Sequence, residues 1–155
     1  MSEARILIQG GMVYDGNGNP GAIGDVLVVG ERIEAVGQLG EVRDAAVIDA
    51  AGCCVTPGFI DPHNHADNEV EGGILTYPQA DNLVRQGITT LVCNQCGGAT
   101  YPVGGFLERF ASVGAVTNVA MLASHGQTRS RALKETGGKN GPDMWRIMRG
   151  LLRDE

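Results

Sequence analysis

The chain has 155 residues, of which 43% are hydrophobic and 19% are charged, so it can form a core of about one domain and is not a disordered tail. The net charge of −6 and the scattered Arg and Lys residues argue against a nucleic-acid or anionic-membrane binder. No segment has the length of a transmembrane helix or the pattern of a signal peptide. We therefore expect a cytoplasmic protein with reduced thiols and no membrane partner.

Residues 1–56 have the pattern of short β-strands joined by tight turns. Gly30-Glu31 separates two apolar runs by two residues, which is typical of a β-hairpin. Strands are predicted over Arg5–Gln9, Met12–Tyr14, Asp25–Val29, Arg32–Val36, Ala46–Asp49 and Cys53–Thr56. These residues are expected to form an antiparallel β domain, which would be marginal on its own.

Residues 57–155 alternate between strand and helix patterns, which indicates a parallel α/β sheet or barrel. Strands are predicted over Gly58–Asp61, Ile88–Cys93 and Val116–Ala123, and helices over Tyr77–Gln86, over Gly105–Ser112 and from Pro142 onward. The polar, glycine-containing segment Ser124–Gly141 is predicted to be a loop.

Two histidines, His63 and His65, directly follow the first strand of this second region. Residues two apart on an extended backbone face the same side, so both imidazoles can reach one metal ion. The alternative is a pair of surface histidines in a loop. With three histidines in the whole chain, this spacing favours a metal site.

Cys96 follows the second strand, where a thiolate could complete the site formed by the histidines. Cys93 and Cys96 also have the spacing of a redox pair, but Pro102 and two glycines follow instead of a helix start. A structural thiol is the third interpretation of Cys96. Cys93 lies within the strand and is expected to be buried by packing.

Three further polar residues lie near these positions. His125 follows the third strand, at the end of the sheet where barrel active sites lie, and could line a pocket or be a hydrogen-bonded structural residue. Asp61 and Asp67 flank the histidine pair, and each could orient a metal ligand or cap a turn.

The segment Thr56–His65 (TPGFIDPHNH) resembles the first barrel strand of the amidohydrolase superfamily. The segments Gln86–Val92 (QGITTLV), Asn94–Gly98 (NQCGG) and Ser124–Arg129 (SHGQTR) resemble the D-aminoacylase branch, the N-acyl-D-amino-acid deacylases. In that branch the cysteine after the second strand is a metal ligand. Residues 1–56 contain segments that resemble the small β-sandwich that precedes the barrel.

The resemblance implies an α/β chain that is the N-terminal part of a metal-dependent (β/α)8 barrel hydrolase, preceded by part of a β-sandwich. Residues 1–56 would be the sandwich portion, and residues 57–155 the first three βα units. His63, His65 and Cys96 would bind zinc, as one or two ions. The general base would lie outside this chain, because a full barrel needs about 250 residues.

The implied activity is hydrolysis of the amide bond of a small N-acyl amino acid, most simply an N-acyl-D-amino acid. The alternatives are an amidohydrolase that acts on cyclic amides and a non-catalytic subunit of a split enzyme. A complementary C-terminal polypeptide is the expected partner. Two positions depart from the branch pattern: Gln95 is inserted between Asn94 and Cys96, and Ala66 precedes Asp67 where the branch often has two acidic residues.

Overall fold

The computed structural model describes residues 3–68, 72–96 and 100–153. The chain divides into two compact units, residues 1–57 and residues 58–155, so the division falls between Pro57 and Gly58. Among the described residues, no helix combines the length and the apolar character needed to cross a membrane.

The first unit is one mixed β-sheet with strand order β3-β2-β1-β4, and β5 also pairs with β1. Its strands are β1 (Arg5–Val13), β2 (Ala22–Val29), β3 (Arg32–Gly37), β4 (Ala46–Asp49) and β5 (Cys54–Val55). The predicted hairpin at Gly30-Glu31 is confirmed, with Val29 opposite Arg32. The expectation of an antiparallel domain is wrong, because β4 and β5 run parallel to β1. The chain after β3 returns to the far side of β1 instead of adding to the hairpin.

Strand β1 is continuous across the predicted break between two short strands. Its pairing with β2 shifts between Ile8 and Gly11, where Gly10 has a φ of +74°. This bulge lets the strand continue without a turn. The buried Asp25 supports it by accepting hydrogen bonds from the backbone N–H groups of Gly10, at 2.9 Å, and Leu39, at 3.0 Å.

The second unit contains a three-stranded parallel sheet of order β6-β7-β8, with helices between and after its strands. Its elements are β6 (Phe59–Asp61), α1 (Gly73–Thr76), α2 (Asp81–Val84), β7 (Ile88–Cys93), α3 (Val103–Val113), β8 (Asn118–Met121), α4 (His125–Glu135) and α5 (Pro142–Leu151). The predicted alternation and parallel pairing are confirmed.

The predicted helix over Tyr77–Gln86 is wrong, because two helices of four residues, α1 and α2, replace it. Pro78 disfavours helical geometry at Tyr77, whose backbone is not helical. Ala80 has a φ of +45°, which separates the two helices.

The predicted loop over Ser124–Gly141 is also wrong, because His125–Glu135 within it forms α4. Ser124 begins the helix, and its hydroxyl accepts a hydrogen bond from the backbone N–H of Gln127 at 3.2 Å. Ala132 is fully buried against Met144 and Met148 of α5. The apolar stripe of α4 is therefore too narrow to stand out in a sequence that is otherwise polar.

The core of the second unit lies between β7 and the helices. Leu91, Cys93 and Phe106 are completely buried there, with Ile74 beside them. The alternate residues of β7 face the other side of the sheet. Because β6, β7 and β8 are parallel, the segments that follow them emerge at the same edge of the sheet.

Candidate metal site

The nitrogen and sulfur ligand atoms of His63, His65 and Cys96 all lie within 4.8 Å of one another. Cys96 Sγ is 3.3 Å from His63 Nε2, and the two imidazole rings are 5.4 Å apart between centroids, with planes at 61°. All three side chains are exposed. The structure thus brings together the three residues that the sequence analysis assigns to one site.

The histidines are placed by a hydrogen-bonded turn rather than by an extended strand, since β6 ends at Asp61. The Asp61 carboxylate accepts a hydrogen bond from the Asn64 side-chain amide at 2.6 Å and one from the His63 backbone N–H at 3.2 Å. These two bonds lower the pKa of Asp61, the one from Asn64 having the larger effect. Asp61 therefore carries a negative charge beside the histidine pair.

Asn64 lies between the two histidines and holds the turn from its other side. Its side-chain oxygen accepts a hydrogen bond from the Ala66 backbone N–H at 2.7 Å. Its own backbone N–H donates to the Val92 carbonyl of β7 at 3.0 Å. This support is missed from the sequence, where its signal is a short polar residue that can bond to nearby backbone groups.

Cys96 is presented by a tight loop after β7. Asn94 and Cys96 both have a positive φ, of 74° and 58° respectively, which is uncommon for residues other than glycine. Between them, the Gln95 side chain donates a hydrogen bond to the Pro62 carbonyl at 3.0 Å. The buried Asn94 donates to the Leu122 carbonyl, so the loop is attached to the segments after both β6 and β8.

The donor set fits zinc, which binds imidazole nitrogen and thiolate sulfur in tetrahedral geometry. Ligand distances of about 2.0–2.1 Å for nitrogen and about 2.3 Å for sulfur place two such ligands about 3.5 Å apart. The observed 3.3 Å between Cys96 Sγ and His63 Nε2 is close to this separation. Small side-chain movements would therefore suffice to receive the ion.

Cys93 lies outside this cluster, and the expected packing role agrees with its position in the core. Its side chain is fully buried. Burial, with a smaller effect of the Asp67 charge, raises the pKa of the Cys93 thiol to about 11. Cys93 is thus a neutral thiol at physiological pH and a poor metal ligand.

Asp67 and His125 do not join the three ligands. Asp67 is buried, with one carboxylate oxygen 3.5 Å from the Thr100 hydroxyl and the other without a hydrogen-bond partner among the residues that the structure describes. His125 is the first residue of α4 and is exposed. Their expected roles in a pocket or behind the ligands remain predictions.

Comparison with known proteins places this chain in a family. The family model described as "Amidohydrolase family" matches residues 46–154. N-acyl-D-aspartate deacylase of Alcaligenes xylosoxydans xylosoxydans is 32% identical, over 97% of this chain and 34% of its own length. N-acyl-D-glutamate deacylase of the same organism is also 32% identical, over 96% of this chain and 34% of its own length. The chain therefore spans about a third of the length of these relatives.

Solved structures show the same likeness. N-acyl-D-glutamate deacylase from Bordetella bronchiseptica, complexed with zinc and a phosphonate inhibitor, is 26% identical with a TM-score of 0.83, covering 99% of this chain and 36% of that one. A D-aminoacylase with a binuclear metal centre is 29% identical with a TM-score of 0.80, over 94% of this chain and 35% of that one. The expected fold class, the N-terminal part of an amidohydrolase barrel, is confirmed. From the match to its family model and the identity to these deacylases, the chain belongs to the amidohydrolase family.

Proposed function

We propose that this chain supplies the metal-binding portion of a zinc-dependent hydrolase that removes the acyl group from N-acyl-D-amino acids. The observation that carries the proposal is the convergence of His63, His65 and Cys96 at the carboxyl edge of a parallel sheet. The deacylases named above are similar over nearly the whole chain, and one of them was solved with zinc.

Each residue has a defined task in this proposal. His63 and His65 donate imidazole nitrogens and Cys96 a thiolate, while Asp61 and Asn64 keep the histidine turn in place. A bound zinc ion, or a pair of ions, would polarise the acyl carbonyl and lower the pKa of a bound water. Hydrolysis consumes one water and yields a carboxylate and an amine.

The activity belongs to the complete barrel, because three parallel strands do not satisfy the strand number and tilt that closure requires. The remaining strands, the general base and further ligands would come from a complementary C-terminal polypeptide, either continuous with this chain or separate. The length of the relatives supports this inference, since the chain covers 34% of the two named deacylases.

The decisive experiment measures zinc content and hydrolysis in the complete protein that contains this chain. We expect a loss of zinc affinity of more than about tenfold in each of three variants, His63→Ala, His65→Ala and Cys96→Ala. Removal of a residue that only hydrogen-bonds to a metal ligand already lowers affinity by about tenfold or more, and these variants remove a ligand itself. Cys53→Ala is the matched control, because Cys53 is also an exposed thiol but lies in the first unit. Equal zinc loss in Cys53→Ala would contradict the assignment.

The substrate class is tested with N-acetyl derivatives of D-Asp, D-Glu and a neutral D-amino acid, with their L enantiomers and with a cyclic amide. Preference for one N-acyl-D-amino acid is the expected result. Preference for the cyclic amide would transfer the proposal to another amidohydrolase activity. Zinc binding without turnover of any of these would favour a non-catalytic subunit.

A further inference from the structure

Two hydrogen bonds attach the loop that carries the histidines to the end of β7 and to the cysteine loop that follows it. The Asn64 backbone N–H donates to the Val92 carbonyl at 3.0 Å, and the Gln95 side-chain amide donates to the Pro62 carbonyl at 3.0 Å. The first bond runs from the histidine loop to β7, and the second returns from the cysteine loop. The histidine loop is therefore bonded both to the end of β7 and, through Gln95, to the loop that carries the cysteine.

Gln95 occupies the best position to set the separation between the ligands. It directly precedes Cys96 in the chain, and its acceptor Pro62 directly precedes His63. Its amide also lies 3.4 Å from the Val92 carbonyl, so the side chain bridges the end of β7 and the histidine loop. The positive φ of both Asn94 and Cys96 shows how sharply the backbone turns around it.

We propose that Gln95 is a positioning residue that holds the Cys96 thiolate opposite His63. The inference rests on the proposed function, since it assigns to Gln95 a role toward the same metal site. The side chain is long enough to span the two loops. Its amide N–H donates a hydrogen bond to the carbonyl of Pro62, the residue before the ligand His63. Without this bond, Cys96 would retain its thiol but lose the restraint that keeps it 3.3 Å from His63 Nε2.

The test replaces Gln95 by Met, which has similar length but no donor and no charge. Gln86→Met is the matched control, because the Gln86 amide also donates to a backbone carbonyl, that of Asn82 at 2.6 Å, and neither residue belongs to the three-ligand cluster. Both variants are prepared in the complete protein and loaded with Co²⁺ in place of zinc. Cys96→Ser shows which near-ultraviolet absorption comes from the thiolate–cobalt bond.

We expect Gln95→Met to bind Co²⁺ about tenfold or more weakly, in the range found when an outer partner of a metal ligand is removed. The thiolate–cobalt absorption per bound ion should fall, and Gln86→Met should keep both values. Thermal unfolding of each apo variant separates a folding defect from a lost restraint. A Gln95→Met protein with full absorption and affinity within twofold of the parent would overturn the inference. If the parent itself shows no thiolate–cobalt absorption, the proposed function fails and this inference with it.

Discussion

At the scale of single residues, the four cysteines divide by their surroundings. Cys93 is fully buried and its pKa is raised to about 11, whereas Cys53, Cys54 and Cys96 are exposed. Because the thiolate is the reactive form, a thiol reagent at pH 8 should label three cysteines rapidly, and Cys93 only after unfolding. Zinc binding should then protect Cys96 and leave two rapidly labelled thiols. Rapid labelling of all four in the folded protein would contradict this assignment.

The raised pKa of Cys93 also predicts how the free energy of unfolding changes with pH. In the unfolded chain the thiol loses its proton near its ordinary pKa of 9.0, while in the folded protein it keeps the proton up to about 11. The free energy of unfolding should therefore decrease as the pH rises from about 9 to 11. Urea unfolding at pH 8 and pH 10.5 measures this, and the decrease should be smaller in Cys93→Ala. An identical decrease in both proteins would assign the effect to other groups.

At the scale of elements, the N-terminus of α4 depends on Ser124. This residue is 1% exposed, and its hydroxyl accepts the Gln127 N–H. Ser124→Ala should lower the free energy of unfolding by about 0.5–2 kcal/mol, as for other helix N-caps. Ser130→Ala, on the exposed side of the same helix, should change it by less than about 0.5 kcal/mol. Hydrogen exchange of α4 amides checks that the loss is local, and equal effects of the two substitutions would argue against the cap.

The entry into β6 depends on a close approach between Gly58 and Thr89 of β7. A Cβ at position 58 would overlap the Thr89 side chain, so Gly58→Ala should cost about 1–3 kcal/mol. Gly104→Ala in α3 is the control, since a Cβ there meets nothing and should be neutral or stabilising by up to about 1 kcal/mol. Urea unfolding compares them, and Thr89→Ala should partly restore Gly58→Ala. Full tolerance of Gly58→Ala would show that β6 and β7 can separate at this point.

The elements that sequence patterns predict well are those whose cause is local. Ile88–Cys93 is a β-branched run, and Pro142 is favoured at the first turn of a helix, so both elements begin where predicted. The helix α4 escapes prediction because its stability comes from packing of Ala132 against another helix. The histidine ligands are visible from their spacing and Cys96 from its place after a predicted strand. The Asn64 side chain bonds to Asp61 and Ala66, which are close in the chain, whereas the Gln95 bond to Pro62 joins residues 33 apart that no local pattern connects.

At the scale of the whole molecule, the second unit has a three-stranded parallel sheet with an outer edge on both β6 and β8. Phe59, Ile60, Val116 and Leu122 near these strands are more than 45% exposed. Open edges with apolar side chains favour association. The 155-residue chain should therefore form oligomers at micromolar concentration, and co-expression with a polypeptide carrying the remaining barrel strands should give one discrete complex. Light scattering measures the size of the particles in both samples. A stable monomer of the chain alone would contradict the prediction that the open sheet edges drive association, and also the proposal that further strands complete the barrel.

The central place of β1 in the first sheet has a consequence for synthesis on the ribosome. β1 pairs with β2 on one side and with β4 and β5 on the other. On the second side, Ile6 can pair only after Ala46 has been synthesised. At about 5–20 residues per second, that partner emerges roughly two to eight seconds later. The hairpin of β2 and β3 can form in microseconds, so the local pairs are complete long before the parallel pairs begin. Of the strands in this sheet, β1 is translated before the others and completes its pairing only after β4 and β5 have emerged, so a pause in translation before Ala46 would prolong its exposure.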